Sequence, residues 1–151
     1  MSDTLLLGDP AASHALGERL ARVLQVGDVV ALSGPLGAGK TSVARGVLAA
    51  LGLVGEAPSP SFAIVQPYDV SEVRLPVLHV DLYRIDDPAE AEELGLDEAR
   101  HDSALLVEWP ERLPAGTWRD ALWLTLSPTE DGARALTARV PAAWKDRWPP
   151  A

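Results

Sequence analysis

The sequence contains no cysteine, which excludes disulfide bridges and thiolate-held metals and suits a reducing compartment. Lysine is nearly absent too, with only Lys40 and Lys145. Thirteen Lys+Arg against twenty-two Asp+Glu give a formal net charge of −9, which speaks against a broad nucleic-acid face driven by counterion release. An RNA in this protein's pathway is therefore expected to be held by a partner and not directly, although folding can still gather a local basic patch. The acidity instead suits docking on a basic partner. Long apolar runs are missing as well. The first residues, MSDTLLLGDP, carry no basic region and only three consecutive leucines, so they read as neither a signal peptide nor a membrane span. Cytoplasmic residence, with no membrane association, is the expectation.

What is present fits a globular chain, 47% hydrophobic and 23% charged. At 151 residues, a single domain over 1–151 is the most economical reading, large enough to bury a core without staples. No internal repeat or low-complexity linker divides it. Self-association is compatible with the sequence and not indicated by it.

The stretch Gly34 to Ser42, GPLGAGKTS, contains the pattern GxxxxGK[ST] at Gly34, Gly39, Lys40 and Thr41. A phosphate chain needs inward-turned backbone N–H groups, glycines that let the main chain approach closely, and one long cation. Thr41 adds a hydroxyl for Mg²⁺. The plainer reading is a glycine-rich strand-to-helix turn, but the flanks favour the phosphate loop. Asp28 to Ser33 is a short apolar, β-branched run that reads as a buried strand. After the loop, Val43, Val47, Leu48 and Leu51 recur at helical spacing, with Gly52 as terminator. A helix beginning near Lys40 aims its positive dipole end at the phosphates.

Elsewhere, Asp9-Pro10 reads as a helix cap and first-turn proline ahead of the stripe Leu16, Leu20, Val23 and Leu24, the segment closing at Gly27. Residues just before this helix are placed where they could touch a nucleotide base. Gly52 to Ser61, LVGEAPSPS in its later part, has no periodicity and lies where a switch segment would. Ser59 and Ser61 offer hydroxyls to Mg²⁺ or a terminal phosphate, though serines beside prolines also form turns. Phe62 to Gln66 reads as a strand. Asp86 to Glu98 is rich in acid, for which a local account suffices: Asp87 caps a helix, Pro88 opens it, Glu90 completes a capping box and Gly95 closes it.

Two further apolar runs each end in a carboxylate. Val77 to Val80 leads into Asp81, and Ala104 to Val107 into Glu108, which is followed by Trp109, Pro110 and Glu111. Ligands in open α/β sheets bind outside the carboxyl ends of the strands, so both acids are candidates for holding Mg²⁺ or polarising water. Their division of labour stays open. Trp109 reads as a wall of the phosphate site or as a partly buried rim residue. His79, inside a strand, reads as a hydrogen-bonded structural imidazole. Ala121 to Leu126 and Arg134 to Ala138 read as a hairpin across Pro128 to Gly132, which adds antiparallel C-terminal strands to a parallel core. The tail PAAWKDRWPPA reads as a loosely held end. The fold class is thus α/β, a P-loop nucleotide-binding fold with a mixed sheet and flanking helices.

Taken in order, GPLGAGKTS, Ser59-Pro-Ser-Phe62, His79-Val-Asp-Leu-Tyr-Arg84, Glu93-Leu-Gly95 and Val107-Glu-Trp-Pro-Glu111 resemble the TsaE (YjeE) family over most of the chain. The resemblance implies a small ATPase required in bacteria for threonylcarbamoyl modification of the adenosine beside the anticodon, in tRNAs reading codons that begin with A. It implies a TsaB–TsaD partner complex, in which TsaD performs the transfer from threonylcarbamoyl-AMP while hydrolysis of ATP to ADP and phosphate supports repeated turnover. Carried onto this chain, Leu36, Gly37, Ala38, Gly39, Lys40, Thr41 and Ser42 cradle the phosphates, with Lys40 as cation and Thr41 on Mg²⁺. Asp81 matches the strand-end aspartate, Glu108 the glutamate implicated in Mg²⁺ binding and hydrolysis, and Trp109 the nearby aromatic. Glu111 and Arg134 match further nucleotide contacts. Pro35 replaces a common aspartate, Ser61 a threonine, and Gly132-Ala-Arg134 spaces out a Gly-Arg pair.

Three rival readings are kept. A small-molecule kinase shares the loop but needs acceptor-binding arginines and usually a lid; the chain has no arginine-rich insertion and is short for that job. A GTPase switch needs an Asn-Lys-x-Asp motif that neither lysine supplies. A nucleotide-dependent binding module with negligible hydrolysis differs only in rate.

Overall fold

A computed structural model describes residues 2–55, 57 and 64–150. Ser59, Ser61, Phe62 and Ala63 lie outside the described residues. The strands are β1 (Ser2–Leu7), β2 (Val29–Ser33), β3 (Val65–Tyr68), β4 (Val77–Asp81), β5 (Ala104–Glu108), β6 (Leu122–Pro128) and β7 (Arg134–Arg139). The helices are α1 (Pro10–Ala21), α2 (Lys40–Ala50), α3 (Pro88–Glu92) and α4 (Leu96–Ala99). One sheet runs in the order β1-β7-β6-β2-β5-β4-β3. β6, β2, β5 and β4 are mutually parallel, while β3 on one edge and β7 and β1 on the other are antiparallel to their neighbours.

The expected mixed sheet with a parallel core is therefore present. β6 and β7 form the expected hairpin, with β6 joining the parallel core through β2. β2 and β5 are buried along their whole length, which explains why both read as unbroken apolar runs: strands covered on two faces need no polar alternation. One face packs Val30, Leu32, Leu106, Leu124 and Leu136 beneath Leu16, Leu20, Val43 and Val47 of α1 and α2. The other packs Val29, Val80, Leu105 and Val107 against Ala91 and Leu96 from α3 and α4.

Local chemistry sets the helix ends. The Asp9 carboxylate accepts the Ala12 N–H at 2.8 Å, with Pro10 at the first helical position. α1 closes at Ala21, before Gly27, because the Arg22 and Val23 amides bond the Arg19 and Leu20 carbonyls in a tightened last turn. α2 ends as expected at Gly52, where the Leu53 N–H reaches the Leu48 carbonyl and the Gly52 N–H the Ala49 carbonyl. The Asp87 carboxylate caps α3 through the Ala89 N–H at 3.0 Å.

Two expectations are corrected, and one strand was not expected. Of the strand read over Phe62 to Gln66, Val65 and Gln66 belong to β3 while Ile64 does not, because its φ of +64° is incompatible with an extended β-branched residue. β1 has no counterpart in the sequence reading: three consecutive leucines hide its alternation, and its partner β7 is far away in sequence. The C-terminal tail is not loosely held. Trp144 and Trp148 join the main core, and the Arg147 guanidinium stacks on Trp144 with its carbon 4.0 Å from the ring centroid. Arg147 also grips the Asp28 carboxylate with both terminal nitrogens, at 2.6 and 3.1 Å, and the Val23 carbonyl at 2.9 Å.

α1 crosses α2 at two glycines. A Cβ on Gly46 would lie 2.0 Å from the His14 carbonyl oxygen, and one on Gly17 2.0 Å from the Val43 oxygen. Backbone cannot yield as a flexible side chain does, so the crossing depends on bare main chain. Gly46→Ala is expected to lower stability by about 1–3 kcal/mol through overpacking, against the roughly 1 kcal/mol gain in helix propensity. Urea denaturation measures the balance, and a stabilised variant would show that the helices can separate freely.

Candidate nucleotide site

β2 delivers the chain to Ser33, and the loop 34–39 then turns it into α2. Gly34 has φ +136°, and a Cβ there would lie 2.2 Å from the Leu126 carbonyl oxygen, so glycine is needed for both conformation and space. Gly39, at φ +103°, is the N-cap of α2 and offers no side-chain cap. The first-turn amides are thus left for a ligand, at the positive end of the helix.

The loop borders a cleft of about 290 Å³ lined by Leu36, Gly37, Ala38, Gly39, Lys40, Thr41 and Ser42, with Pro10, Asp81, Glu108, Trp109 and Arg134. Residues separated widely in the chain converge there because β4 and β5 are in register, with Asp81 opposite Glu108. The alternation of a strand puts both acids on the α2 face of the sheet, one step beyond Val77 and His79 on β4 and beyond Ala104 and Leu106 on β5.

Glu108 is 2% exposed. Its Oε1 accepts the Thr41 hydroxyl at 2.9 Å, and its Oε2 lies 2.7 Å from His79 Nε2. Asp81 is 5% exposed and accepts the Tyr83 N–H at 2.9 Å. Lys40 is 5% exposed. Its ammonium donates to the Gly34 carbonyl and, at 3.1 Å, to the Pro35 carbonyl, and lies 3.9 Å from the centroid of the Trp109 ring. Burial pulls the Lys40 pKa below its ordinary value, opposed by the charges of Glu108, Glu111 and Asp81. An incoming anion would act in the same direction as those acids.

Trp109 occupies the left-handed region at φ +61°, ψ +47°. For a bulky residue this is strained, at a cost on the order of 1–3 kcal/mol. The conformation turns the ring out of β5 onto Tyr83, at 4.9 Å between centroids, and beside Lys40. Arg134, on β7, donates from Nε to the Ala38 carbonyl at 3.0 Å and from a terminal nitrogen to the Gly37 carbonyl at 3.1 Å. It braces the loop from outside while lining the cleft.

Glu111 is placed differently. Its carboxylate accepts the Ser33 hydroxyl at the entry to the loop, and the residue lines a larger groove of about 660 Å³ with Trp118, Trp123, Arg119 and Arg139. Pro10 and Ser42 also border a third cleft, of about 410 Å³, with His14 and Arg45. Sequence reasoning missed the pairing of His79 with Glu108 and of Ser33 with Glu111. Neither has a local signal, since each joins residues of different strands or turns.

Mg²⁺ prefers hard oxygen donors and commonly takes only one or two protein carboxylates, completing its shell with water and phosphate. The donors facing this cleft, the Thr41 hydroxyl with the Glu108 and Asp81 carboxylates, are of that kind. Among the described residues no helix is long and apolar enough to cross a membrane.

Comparisons with known proteins find relatives over most of the chain. The family model described as "Threonylcarbamoyl adenosine biosynthesis protein TsaE" matches residues 7–136. The tRNA threonylcarbamoyladenosine biosynthesis protein TsaE of Streptomyces coelicolor is 40% identical over 127 residues, covering 81% of this chain and 86% of that protein. Its Bacillus subtilis counterpart is 35% identical over 130 residues, covering 85% and 80%. A solved structure, "Crystal structure of Bacillus subtilus YdiB", superposes with a TM-score of 0.73 at 30% identity, covering 91% of this chain and 84% of that one. The chain belongs to the TsaE family of threonylcarbamoyl adenosine biosynthesis proteins.

Proposed function

We propose that this protein is a Mg²⁺-dependent ATP hydrolase serving tRNA threonylcarbamoyladenosine formation in the cytoplasm, beside a TsaB–TsaD-like complex that holds the tRNA and performs the transfer. Its family membership supports the pathway. The observation that carries the chemistry is the meeting of the Thr41 hydroxyl and the Glu108 carboxylate, 2.9 Å apart, at the mouth of the phosphate loop.

In this reading the amides of the loop and of the first turn of α2 bind phosphate oxygens. Lys40 leaves the neutral carbonyls of Gly34 and Pro35 for the charged β- and γ-oxygens, which accept stronger bonds. Thr41 and Glu108 would hold Mg²⁺, with Asp81 beside them; when bound, the ion neutralises charge on the phosphate oxygens. Asp81 orients the attacking water. Addition of that water to the γ-phosphorus, with cleavage of its bond to the β–γ bridging oxygen, gives ADP and phosphate. Trp109 walls the site, and Arg134 keeps the loop in its binding shape.

Phosphate release without any added acceptor, abolished by EDTA, restored by Mg²⁺ and accelerated by TsaB–TsaD, is the expected result. Transfer of the γ-phosphate to a metabolite would replace this reading with a kinase. Preference for GTP in a competition titration would replace it with a GTPase.

A further inference from the structure

We infer that His79 is a positioning residue that aims Glu108 at the nucleotide-bound cation, a role that rests on the proposed hydrolase reading and deepens it. His79 sits on β4 between Gln66 of β3 and Leu106 of β5 and is 0% exposed. Its Nε2 lies 2.7 Å from Glu108 Oε2, and both side chains are withdrawn from solvent. A carboxylate oxygen accepts, so Nε2 carries the proton of this bond.

The other ring nitrogen explains why packing alone does not account for the imidazole. His79 Nδ1 has no hydrogen-bond partner among the described residues. An unpaired buried polar atom opposes folding, and an apolar side chain of similar size would fill the space without that penalty. The ring's one satisfied polar contact is to the carboxylate that faces Thr41.

The geometry divides Glu108 into two ends. Oε2 is tied inward to His79, while Oε1 faces the Thr41 hydroxyl. Without the inner tie, the carboxyl group can rotate about its terminal torsion, which is broad and roughly two-fold. The oxygen offered to the cation is then no longer fixed. Partners of this kind, which orient a metal-holding group without touching the metal, typically alter metal affinity or activity by about 10–100-fold when removed.

The test compares wild type, His79→Leu and His79→Gln, the glutamine amide being able to donate roughly where Nε2 does. Fluorescent ATP-analogue binding is titrated with Mg²⁺, steady-state ATP hydrolysis gives kcat and KM, and thermal melts report folding. His79→Leu is expected to bind the analogue normally without Mg²⁺, to need about tenfold more Mg²⁺ for its effect on binding, and to lose kcat with KM little changed. His79→Gln should recover most of both. A folded His79→Leu with wild-type Mg²⁺ dependence and kcat would overturn the role, as would losses in Leu and Gln variants that simply track their melting temperatures. A wild-type protein that releases no phosphate from ATP with Mg²⁺ present, alone or with TsaB–TsaD, would remove the hydrolase reading itself, and the role of His79 with it.

Discussion

Glu108→Ala is expected to bind ATP within a few-fold of wild type while hydrolysing it at least about a hundredfold more slowly, the scale of losing one well-placed group in such a site. Affinity is expected to survive because, in the proposed reading, the phosphates are held by the loop amides and Lys40, which belong to the loop and α2 and not to β5; loss of the Glu108 charge that supports the Lys40 ammonium accounts for the few-fold change. Turnover fails because the deletion removes both the acceptor of the Thr41 hydroxyl and the partner of His79. Single-turnover hydrolysis alongside equilibrium nucleotide binding separates the two effects. Glu108→Gln is the control for folding: its amide oxygen can still accept from Thr41, so it should melt closer to wild type than the alanine variant while staying slow. Unchanged turnover in either variant would show that Glu108 has no part in the reaction.

The second large effect is on stability. Trp144→Ala should cost about 3–5 kcal/mol, the range for removing a large aromatic from a closed core. Trp144 is 0% exposed and lies within the cluster that includes Leu20, Leu24 and Leu136. Its loss leaves a void and also removes the surface on which Arg147 lies, weakening the clasp on Asp28 just ahead of β2. Equilibrium urea unfolding measures the change. A variant within 1 kcal/mol of wild type, as ordinary exposed sites are (about ±0.5), would restore the expectation of a loose tail.

The contrast between these two residues shows what a sequence makes legible. Glu108 could be read because a carboxylate closing a fully apolar run is itself a local pattern, and the loop at Gly34 to Thr41 supplies the context. β2, β4 and β5 were readable in the same way, since strands buried on both faces must be continuous apolar segments, whereas β6 alternates in burial and its parallel pairing with β2 has no local signal. Trp144 could not be read so. Its neighbours Pro141, Lys145, Asp146 and the final prolines look like a solvated end, and only tertiary contact with α1 and the sheet overrides that composition. β1 fails for a related reason: its pairing with β7 is non-local. Within the site, the acids were visible one by one, while the bond from His79 to Glu108 depends on register between β4 and β5, which no single segment contains.

Arg134 ties the two outer thirds of the molecule together. It belongs to β7, the strand on which β1 lies, and it holds the outer carbonyls of the nucleotide loop. Peeling the first strand away would loosen the platform that carries this guanidinium. Tension or crowding at the amino terminus would thereby reach the loop without touching the cleft, and exchange of the Ala38 amide, which donates to the Pro35 carbonyl, should quicken when residues 2–7 are deleted.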